Sequence, residues 1–469
     1  MATLDKYKEL ANNTAVFAVS SLASKIILFF LVPLYTSQLS AADFGMAEII
    51  ITISDLVIPL ATLAISNAVF RFAIDKKRND KEVLACYYFV FFFSVIIIIA
   101  VGVVLNYLEA YKGFGLFFVL VAVLTSYQEA YGLYVKAKNH TIVFAASVFI
   151  YSAFLGILNI LFLSVFHWGI RGYFYAIIGA KSISLLFLFF YGKSTIYISY
   201  RNMNYKLLKE MLFYSVPLIF NSIFWWVMNY SDKFMLQVMV GMEAVGLYTV
   251  AAKIPSLLNT VINIFIQAWN IAAIKEYEGE KDQRFYNTIF GMMNSVLMLA
   301  TALILMIVTP FMHIYVTEAY YVSIIYIPSL LMGAFFLAYA SYFGTILSSA
   351  KQSHIFMTSS FLGAAGNIVM NIVLIPLWGA LGAAIATMVS YAVVAFYRMI
   401  RSFKYISVDI HYKSLIISLS VLILQGIAVT LKFHSVSVSV IVILFILIVY
   451  REYFRKLLSI CLDYKKVIR

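Results

Sequence analysis

Apolar runs of about 20 residues recur along the whole chain and are separated by short polar segments. A run of this length, folded as a helix, crosses a bilayer core of about 30 Å. The pattern predicts about fourteen transmembrane helices. The predicted spans are 13–38, 43–70, 84–106, 114–135, 142–166, 173–192, 212–239, 244–272, 287–312, 324–348, 355–376, 379–398, 414–431 and 435–450.

The composition indicates the same class. Of the 469 residues, 64% are hydrophobic and 12% are charged, whereas a soluble domain carries about 25% charged residues. The mean hydropathy is +0.95. We therefore expect an all-α polytopic membrane protein. The two cysteines, Cys86 and Cys461, lie far apart in sequence and provide neither a disulfide framework nor a thiolate metal site.

Positive charge is distributed unevenly between the predicted loops. Most of the 34 Lys and Arg residues fall on one side of the predicted spans, and the outer segments hold only Lys112, Arg171 and Lys432. Because Lys and Arg are retained on the cytoplasmic side, we predict that both termini are cytoplasmic. The same asymmetry accounts for the net charge of +13, so the charge does not require a nucleic-acid partner.

The two halves of the chain share short motifs at an offset of about 200 residues, the kind of duplication common in transporters. WGIRGYFYA at 168–176 and WGALGAAIA at 378–386 share the pattern W-G-x-x-G-x-x-x-A. Two shorter matches are also present. One surrounds Gly45 and Gly246, and the other pairs AKNH at 137–140 with AKQSH at 350–354. We predict two parallel six-helix repeats that form an N-lobe (1–200) and a C-lobe (201–400). The remaining segment, 401–469, would hold helices 13 and 14 and a basic cytoplasmic tail.

Polar residues form one stripe along the second predicted helix and one along the eighth. Their spacing places each stripe on a single helical face. Such a stripe faces either other helices, as a hydrogen-bonded interface, or a wet cavity, and its length and repetition favour the cavity. The first stripe is Glu48, Thr52, Asp55, Pro59, Thr62 and Ser66; the second is Thr249, Lys253, Ser256, Thr260, Asn263 and Gln267.

Charged residues inside the predicted spans balance in number, with four lysines and four acids. An intramembrane charge costs about 2.5–3.5 kcal/mol on insertion scales, so each needs a polar neighbour. The set suits either internal ion pairs, such as Lys25 with Asp55, or a mixed site in which lysines bind an anionic headgroup and carboxylates bind coupling cations. The set is Lys25, Lys181, Lys233, Lys253, Glu48, Asp55, Glu129 and Asp232.

Two further features concern a substrate path. On the seventh predicted helix, Asn221, Trp225, Asn229 and Asp232 share one arc. At the end of the second helix, Arg71 is explained by the positive-inside rule, and it would also attract a phosphate from the inner leaflet.

Enzyme motifs are absent from the sequence. FFYGKST at 189–195 lacks the earlier glycine of a phosphate-binding loop, and GFGLFF at 113–118 lacks the third glycine of a dinucleotide-binding turn. The histidines have no metal-ligand spacing. No predicted loop is long enough to form an ATP-binding domain, so we predict a transporter and not an enzyme, with no bound cofactor.

The opening segment, NNTAVFAVSSLASKIILFFLVPLYTSQLSAADFGMAEIIITISDLVIPLATLAISNAVFRF, resembles the start of polysaccharide flippases. These are the O-antigen and capsule repeat-unit translocases of the multidrug/oligosaccharidyl-lipid/polysaccharide exporter superfamily. The resemblance covers essentially the whole chain. It implies a V-shaped pair of lobes that moves an undecaprenyl-diphosphate-linked oligosaccharide from the inner to the outer leaflet of the bacterial cytoplasmic membrane by alternating access. A nearly neutral set of embedded charges departs from the cationic cavity that the family implies.

On this resemblance, Lys25 and Lys253 would bind the diphosphate or acidic sugars, and Arg71 would attract the phosphate. Sugar contacts would come from Asn221, Trp225, Asn263 and Gln267. H⁺ or Na⁺ coupling would use the four acids Glu48, Asp55, Glu129 and Asp232. Expected partners are the lipid-linked oligosaccharide, membrane lipids, and the polysaccharide polymerase and chain-length machinery.

Three alternatives differ in class. The first is a cation-coupled multidrug exporter of the same superfamily, against which helices 13 and 14 argue, since a lipid substrate gives them a use. The second is a glycosyltransferase or polymerase, for which Glu318 is the only external-loop acid of interest. The third is a scaffold of the polysaccharide machinery, which would tolerate the loss of Lys25.

Overall fold

The computed structural model describes residues 22–75, 78–192, 202–431, 433 and 435–468, with the backbone alone described at 221, 225, 353, 435 and 460–468. Every regular element in these ranges is helical. The prediction of an all-α membrane protein is confirmed. By contact density the chain divides into two compact units, Met1–Ser231 and Asp232–Arg469.

The first unit contains seven helices and most of an eighth, which continues into the second unit. An N-cap serine or asparagine begins several of them; Ser40, for example, accepts a hydrogen bond from the Asp43 N–H at 3.1 Å. The helices are α1 (Leu22–Gln38), α2 (Ala41–Ala61), α3 (Ile65–Ala73), α4 (Asp80–Tyr107), α5 (Gly115–Ala137), α6 (Thr141–Asn159, extended by the π-helical turn Ile160–Val165), α7 (Gly169–Tyr191) and α8 (Tyr205–Met239).

The second unit is built around α11, which packs against α9 and α12. Of the candidate membrane spans, Glu318–Ser349, which contains α11, has the largest buried share, 72%. This helix therefore forms the centre of the unit. Its helices are α9 (Met242–Glu278), α10 (Gln283–Tyr315), the 3₁₀ segment Glu318–Tyr326, α11 (Ile327–Ser349), α12 (Ser353–Ser402), α13 (Tyr412–Thr430), α14 (Ser435–Val449) and α15 (Arg451–Ile468).

Eleven described helices are long and apolar enough to cross a membrane, or twelve if the bent pair Val436–Val449 and Arg451–Ser459 forms one span. The number is lower than the predicted fourteen for two reasons. The predicted spans 355–376 and 379–398 are joined in the 50-residue α12, which is broken only by the backbone of Gly379. The described part of the first span, Leu22–Gln38, is shorter than a full crossing.

The second predicted span, 43–70, is not one helix. The helix α2 ends at Ala61 and α3 begins at Ile65, with Leu63 and Ala64 in the left-handed region at φ 52° and 49°. Pro59 lacks an N–H and weakens the last turn of α2, and the Ala64 N–H closes the turn on the Pro59 carbonyl at 3.0 Å. A left-handed backbone is costly for residues with a Cβ, so the packing of the unit must hold this break in place.

The first glycine of the repeated W-G-x-x-G motif has a positive φ in both units. Gly169 and Gly379 both have φ of 55°, a conformation that favours glycine. A Cβ at Gly172 would lie 3.1 Å from the Phe162 carbonyl oxygen, and one at Gly382 would lie 2.1 Å from the Leu374 carbonyl oxygen. The carbonyl contact excludes a Cβ at Gly382 without backbone movement and is tight at Gly172. The lobe boundaries 1–200, 201–400 and 401–469 stay a prediction.

The helices after α12 are joined to the rest of the second unit by a buried amide. Gln425 of α13 donates from Nε2 to the Ala302 carbonyl of α10 and to Ser439 Oγ of α14, each at 2.8 Å. In α15, the ring of Tyr453 occupies the space beside Gly291 of α10. A Cβ on Gly291 would lie 2.0 Å from this ring. The C-terminal helices thus dock on α10.

Candidate functional site

A polar cavity of about 410 Å³ lies in the first unit, between α2, α3, α5 and α8. Four members of the first polar stripe line it, two on α2, one at the C-cap of α2 and one on α3. They are Asp55, Pro59, Thr62 and Ser66. The other polar or aromatic lining residues are Asn67, Thr125, Glu129, Ser222, Trp226, Asn229 and Tyr230.

Two carboxylates and one lysine form the charged centre of this region. Asp55 is half-buried and Glu129 is exposed to the cavity. Both interact electrostatically with Lys181 of α7. Tyr230 of α8 hydrogen-bonds to the Asp55 carboxylate. The positive charge of Lys181 offsets the repulsion between the two carboxylates. This compensation matters because unpaired charges are costly at membrane depth.

Lys181 is positioned by a chain of neutral polar groups. Its Nζ lies 3.5 Å from Gln128 Oε1 and 4.9 Å from the centre of the Tyr151 ring. The other end of the Gln128 amide donates to Ser184 Oγ at 2.9 Å, and Ser184 donates to the Ser147 carbonyl at 2.8 Å. The chain joins α5, α6 and α7 and fixes the ammonium group near the acids.

The indole of Trp226 fastens α8 to α2. Its Nε1–H donates to the Thr52 carbonyl at 2.8 Å, and its ring lines the cavity. The residues predicted from the sequence to contact sugar on this helix are Trp225, the preceding residue, and Asn221. The side chains of both lie outside the described residues.

The remaining predicted residues of the first unit lie apart from the cavity lining. Glu48 is buried and interacts electrostatically with Tyr35 and Tyr173. Lys25 is exposed on α1, and Arg71 is exposed near the end of α3. The pairing of Lys25 with Asp55 stays a prediction.

In the second unit, the predicted residues of α9 share one helix with different exposure. Lys253 is half-buried, whereas Asn263 and Gln267 are exposed. The next member of the line, Asn270, accepts a hydrogen bond from Thr345 Oγ1 of α11 at 2.5 Å. The second stripe therefore begins among packed helices and continues onto an accessible face.

Asp232 forms the most constrained polar cluster of the second unit. Its carboxylate is buried and accepts hydrogen bonds from the Tyr248 hydroxyl at 2.7 Å, from Asn371 Nδ2 at 2.6 Å and from Thr387 Oγ1. Asn371 also donates to Asn367 Oδ1 at 3.0 Å. The donors come from α9 and from both halves of α12, on either side of the Gly379 break. The carboxylate thus joins three helical segments.

The oxygen atoms of this cluster include one acceptor that has no partner. Asn371 Oδ1 is buried and makes no hydrogen bond, beside a carboxylate, a hydroxyl and a second amide oxygen. Carboxylate, amide and hydroxyl oxygens are ligands for hard cations. The described residues contain no group of three or more His, Cys, Asp or Glu side chains suited to a metal ion. Asp232 and Asn371 bring oxygen atoms of this kind together in one buried cluster.

Sequence reasoning selected Asp232 but missed its donors. Tyr248, Asn371 and Thr387 are 16, 139 and 155 residues away in sequence. The available signal was Asn367 and Asn371, two amides at i, i+4 in an apolar run, which share a helical face.

A family model described as "Polysaccharide biosynthesis protein" matches residues 10–270, more than half of the chain. The chain belongs to this polysaccharide biosynthesis protein family. The sequence-based resemblance to polysaccharide flippases of this superfamily is thereby confirmed. A search of curated proteins finds no significant match.

Solved structures share the fold of this family member at low identity. A lipid II flippase MurJ in an inward closed conformation has a TM-score of 0.67 at 14% identity, covering 97% of this chain and 100% of its own. An inward-facing multidrug resistance MATE family transporter of the MOP superfamily has a TM-score of 0.61 at 15% identity, covering 83% and 95%. A mutant of the Vibrio cholerae MATE transporter VcmN has a TM-score of 0.57 at 15% identity, covering 85% and 97%.

Proposed function

We propose that this protein moves an undecaprenyl-diphosphate-linked oligosaccharide from the inner to the outer leaflet of the bacterial cytoplasmic membrane. The observation that carries the proposal is the extent of the fold shared with the lipid II flippase. That match covers 97% of this chain, whereas the two multidrug transporters cover 83% and 85%. A lipid-linked substrate is chemically closer to lipid II than to a soluble drug, and the family is one of polysaccharide biosynthesis.

The cavity of the first unit suits an oligosaccharide. Sugars are recognised by hydrogen bonds to hydroxyls and by stacking on aromatic rings, and the lining supplies Trp226, Tyr230, Asn229 and Asn67. Trp226 takes the stacking role that the sequence analysis gave to Trp225. Lys25 and Lys253 are proposed to bind the diphosphate, with Arg71 at the cytoplasmic entrance.

Coupling to a cation is proposed at the acids of both units. In the first unit, Asp55 and Glu129 share Lys181 as a counter-charge, so binding of H⁺ or Na⁺ there would compete with the lysine. In the second unit, Asp232 and the unpartnered Asn371 oxygen supply oxygen ligands. Because Asp232 connects α9 to both halves of α12, occupancy there would change the packing of these segments. Glu48 stays a weaker candidate because it is buried and is not among the residues that line the cavity.

A multidrug exporter is the second candidate, favoured by the structural matches to the two multidrug transporters. In either case alternating access is the proposed mechanism. The proposed location is the inner membrane with both termini in the cytoplasm, and the proposed partners are the polysaccharide polymerase and chain-length machinery.

Complementation of a flippase-null bacterium tests the proposal. Surface polysaccharide and inner-leaflet precursor are measured for wild type, Lys25→Ala and the outer-segment control Lys112→Ala, at matched membrane levels. We expect wild type and the control to restore export, and Lys25→Ala to accumulate precursor inside. Normal export by Lys25→Ala would remove the proposed role of Lys25. A wild-type protein that restores no export but lowers drug sensitivity would favour the exporter.

A further inference from the structure

A second cavity of the first unit is an apolar groove of about 980 Å³ between α6 and α7. Its mouth is formed by the helix junction that contains Trp168 and Arg171, and its walls include Leu158, Phe162 and Gly179. It shares no lining residue with the polar cavity that contains Asp55 and Glu129.

The groove has the depth of one membrane leaflet. Its lining extends along α7 from Arg171 to Ile183, twelve residue steps, which at a rise of 1.5 Å per residue is about 18 Å. This is about half of a 30 Å hydrocarbon core. The Ser182 hydroxyl donates to the Ile178 carbonyl of its own helix at 2.8 Å, so the deep end presents no unsatisfied donor.

The mouth of the groove is cationic and aromatic. The Arg171 side chain is exposed, and among the described residues no hydrogen bond or ion pair engages its guanidinium. The Trp168 ring stacks on Phe162 with centroids 4.9 Å apart. Tryptophan and arginine at the end of a transmembrane helix are typical of the headgroup region. In the orientation proposed above, this end faces the outer leaflet.

The second copy of the repeat keeps the positive φ of the first motif glycine but lacks the arginine and the second glycine that line the groove. Trp378 and Gly379 take the places of Trp168 and Gly169, and both glycines have φ of 55°. At the same offset, however, Leu381 replaces Arg171, and Val389 replaces Gly179. The cation at position 171 and the glycine at position 179 are therefore specific to the first unit and are not required by the φ that the two motif glycines share.

We propose that this groove binds an anionic phospholipid of the outer leaflet. The phosphodiester pairs with Arg171, and one acyl chain lies between α6 and α7 as far as Gly179 and Ser182. A phosphodiester carries one negative charge and matches the single arginine, whereas a diphosphate needs a second cation that the lining does not supply. The leaflet assignment rests on the proposed orientation of the flippase.

The test measures lipid binding and not transport. The full-length protein is reconstituted in nanodiscs of phosphatidylglycerol and phosphatidylcholine, extracted, and the retained lipids are counted by native mass spectrometry. Three variants are compared with wild type: Arg171→Leu and Gly179→Val, which install the residues of the second copy, and Lys112→Leu as a control cation outside the groove. A Cβ at Gly179 would lie 2.8 Å from Leu158 Cδ1, a flexible side-chain end, so the larger residue fills the groove without moving backbone.

We expect wild type and Lys112→Leu to retain phosphatidylglycerol in preference to phosphatidylcholine. Arg171→Leu should lower that preference about fivefold, the effect of one cation at a lipid surface. Gly179→Val should lower retention of both lipids. Equal retention of phosphatidylglycerol by wild type and Arg171→Leu would overturn the proposal, as would its displacement by equimolar undecaprenyl diphosphate. A protein that binds phospholipid as expected but flips no oligosaccharide would overturn the proposed function and leave this inference standing.

Discussion

The carboxylate of Asp232 accepts a hydrogen bond of 2.6 Å from Asn371 Nδ2, which joins α8 to the first half of α12. Tyr248 and Thr387 donate to the same carboxylate from α9 and from the second half of α12. A buried acid with three donors on three segments is more than a satisfied polar group. A change of charge at this carboxylate would act directly on α9 and on both halves of α12.

The substitution Asp232→Asn should abolish the response of transport to an imposed ion gradient, since it removes the charge that a cation would neutralise. It should also lower the free energy of unfolding by about 1–3 kcal/mol, because the new amide opposes donors already directed at the site. Gradient-dependent flipping and thermal unfolding in detergent measure the two effects. Asp409→Asn, an exposed acid of the same unit, is the control and should change neither. Unaltered coupling in Asp232→Asn would exclude this acid as the coupling site.

Lys181 should be necessary for transport because it is the counter-charge of Asp55 and Glu129. Replacement of Lys181 by Met leaves Asp55 and Glu129 near each other without a counter-charge. We expect the flipping rate to fall by tenfold or more, which corresponds to about 1.4 kcal/mol of activation free energy. Lys181→Arg keeps the charge and should retain most of the activity. Lys209→Met, an exposed lysine of the first unit, is the matched control. The measurement is the initial flipping rate of each variant in vesicles. Equal rates for Lys181→Met and wild type would show that the ion cluster is structural.

The two glycines of the repeated turn should differ in their tolerance of alanine. Gly379→Ala meets no atom within 4 Å and suffers only from its backbone conformation at φ 55° and ψ −131°, a cost of about 1–3 kcal/mol. Gly382→Ala places a Cβ 2.1 Å from the Leu374 carbonyl oxygen, so backbone must move. We expect the midpoint of thermal unfolding to fall further for Gly382→Ala. The reverse order would mean that the turn can relax where the helices approach each other.

Docking of α15 depends on the contact between Tyr453 and Gly291. Gly291→Ala should release the helix, because a Cβ would lie 2.0 Å from the tyrosine ring. Trypsin should then cleave faster at Arg455 and Lys456. The second substitution Tyr453→Ala removes the clash, so the double variant should be cleaved more slowly than Gly291→Ala alone. Identical cleavage of the single and double variants would show that the helix is held elsewhere.

Sequence patterns predicted the membrane class and most helix positions, because hydropathy is a local property of the chain. The break at Leu63 and Ala64 was not predictable, since neither residue favours a left-handed backbone and Pro59 was the only sign of a weak turn. Asp55 and Pro59, two residues of the predicted polar face of α2, line the cavity. The residues of α5, α7 and α8 that contact this face could not be predicted. Their positions depend on packing between segments that are distant in sequence, and the spacing of polar residues along one helix carries no information about that packing.

The most direct test of the central claim is flipping by the purified protein. Vesicles with and without the protein are loaded with a fluorescent lipid-linked oligosaccharide, and the fraction accessible to a membrane-impermeant quencher is followed over time. The account predicts that wild-type protein moves the lipid across the bilayer much faster than protein-free vesicles do, and that an imposed H⁺ or Na⁺ gradient changes this rate in wild type but not in Asp232→Asn. A rate equal to that of protein-free vesicles, with gradient-dependent uptake of a cationic drug by the same protein, would contradict it.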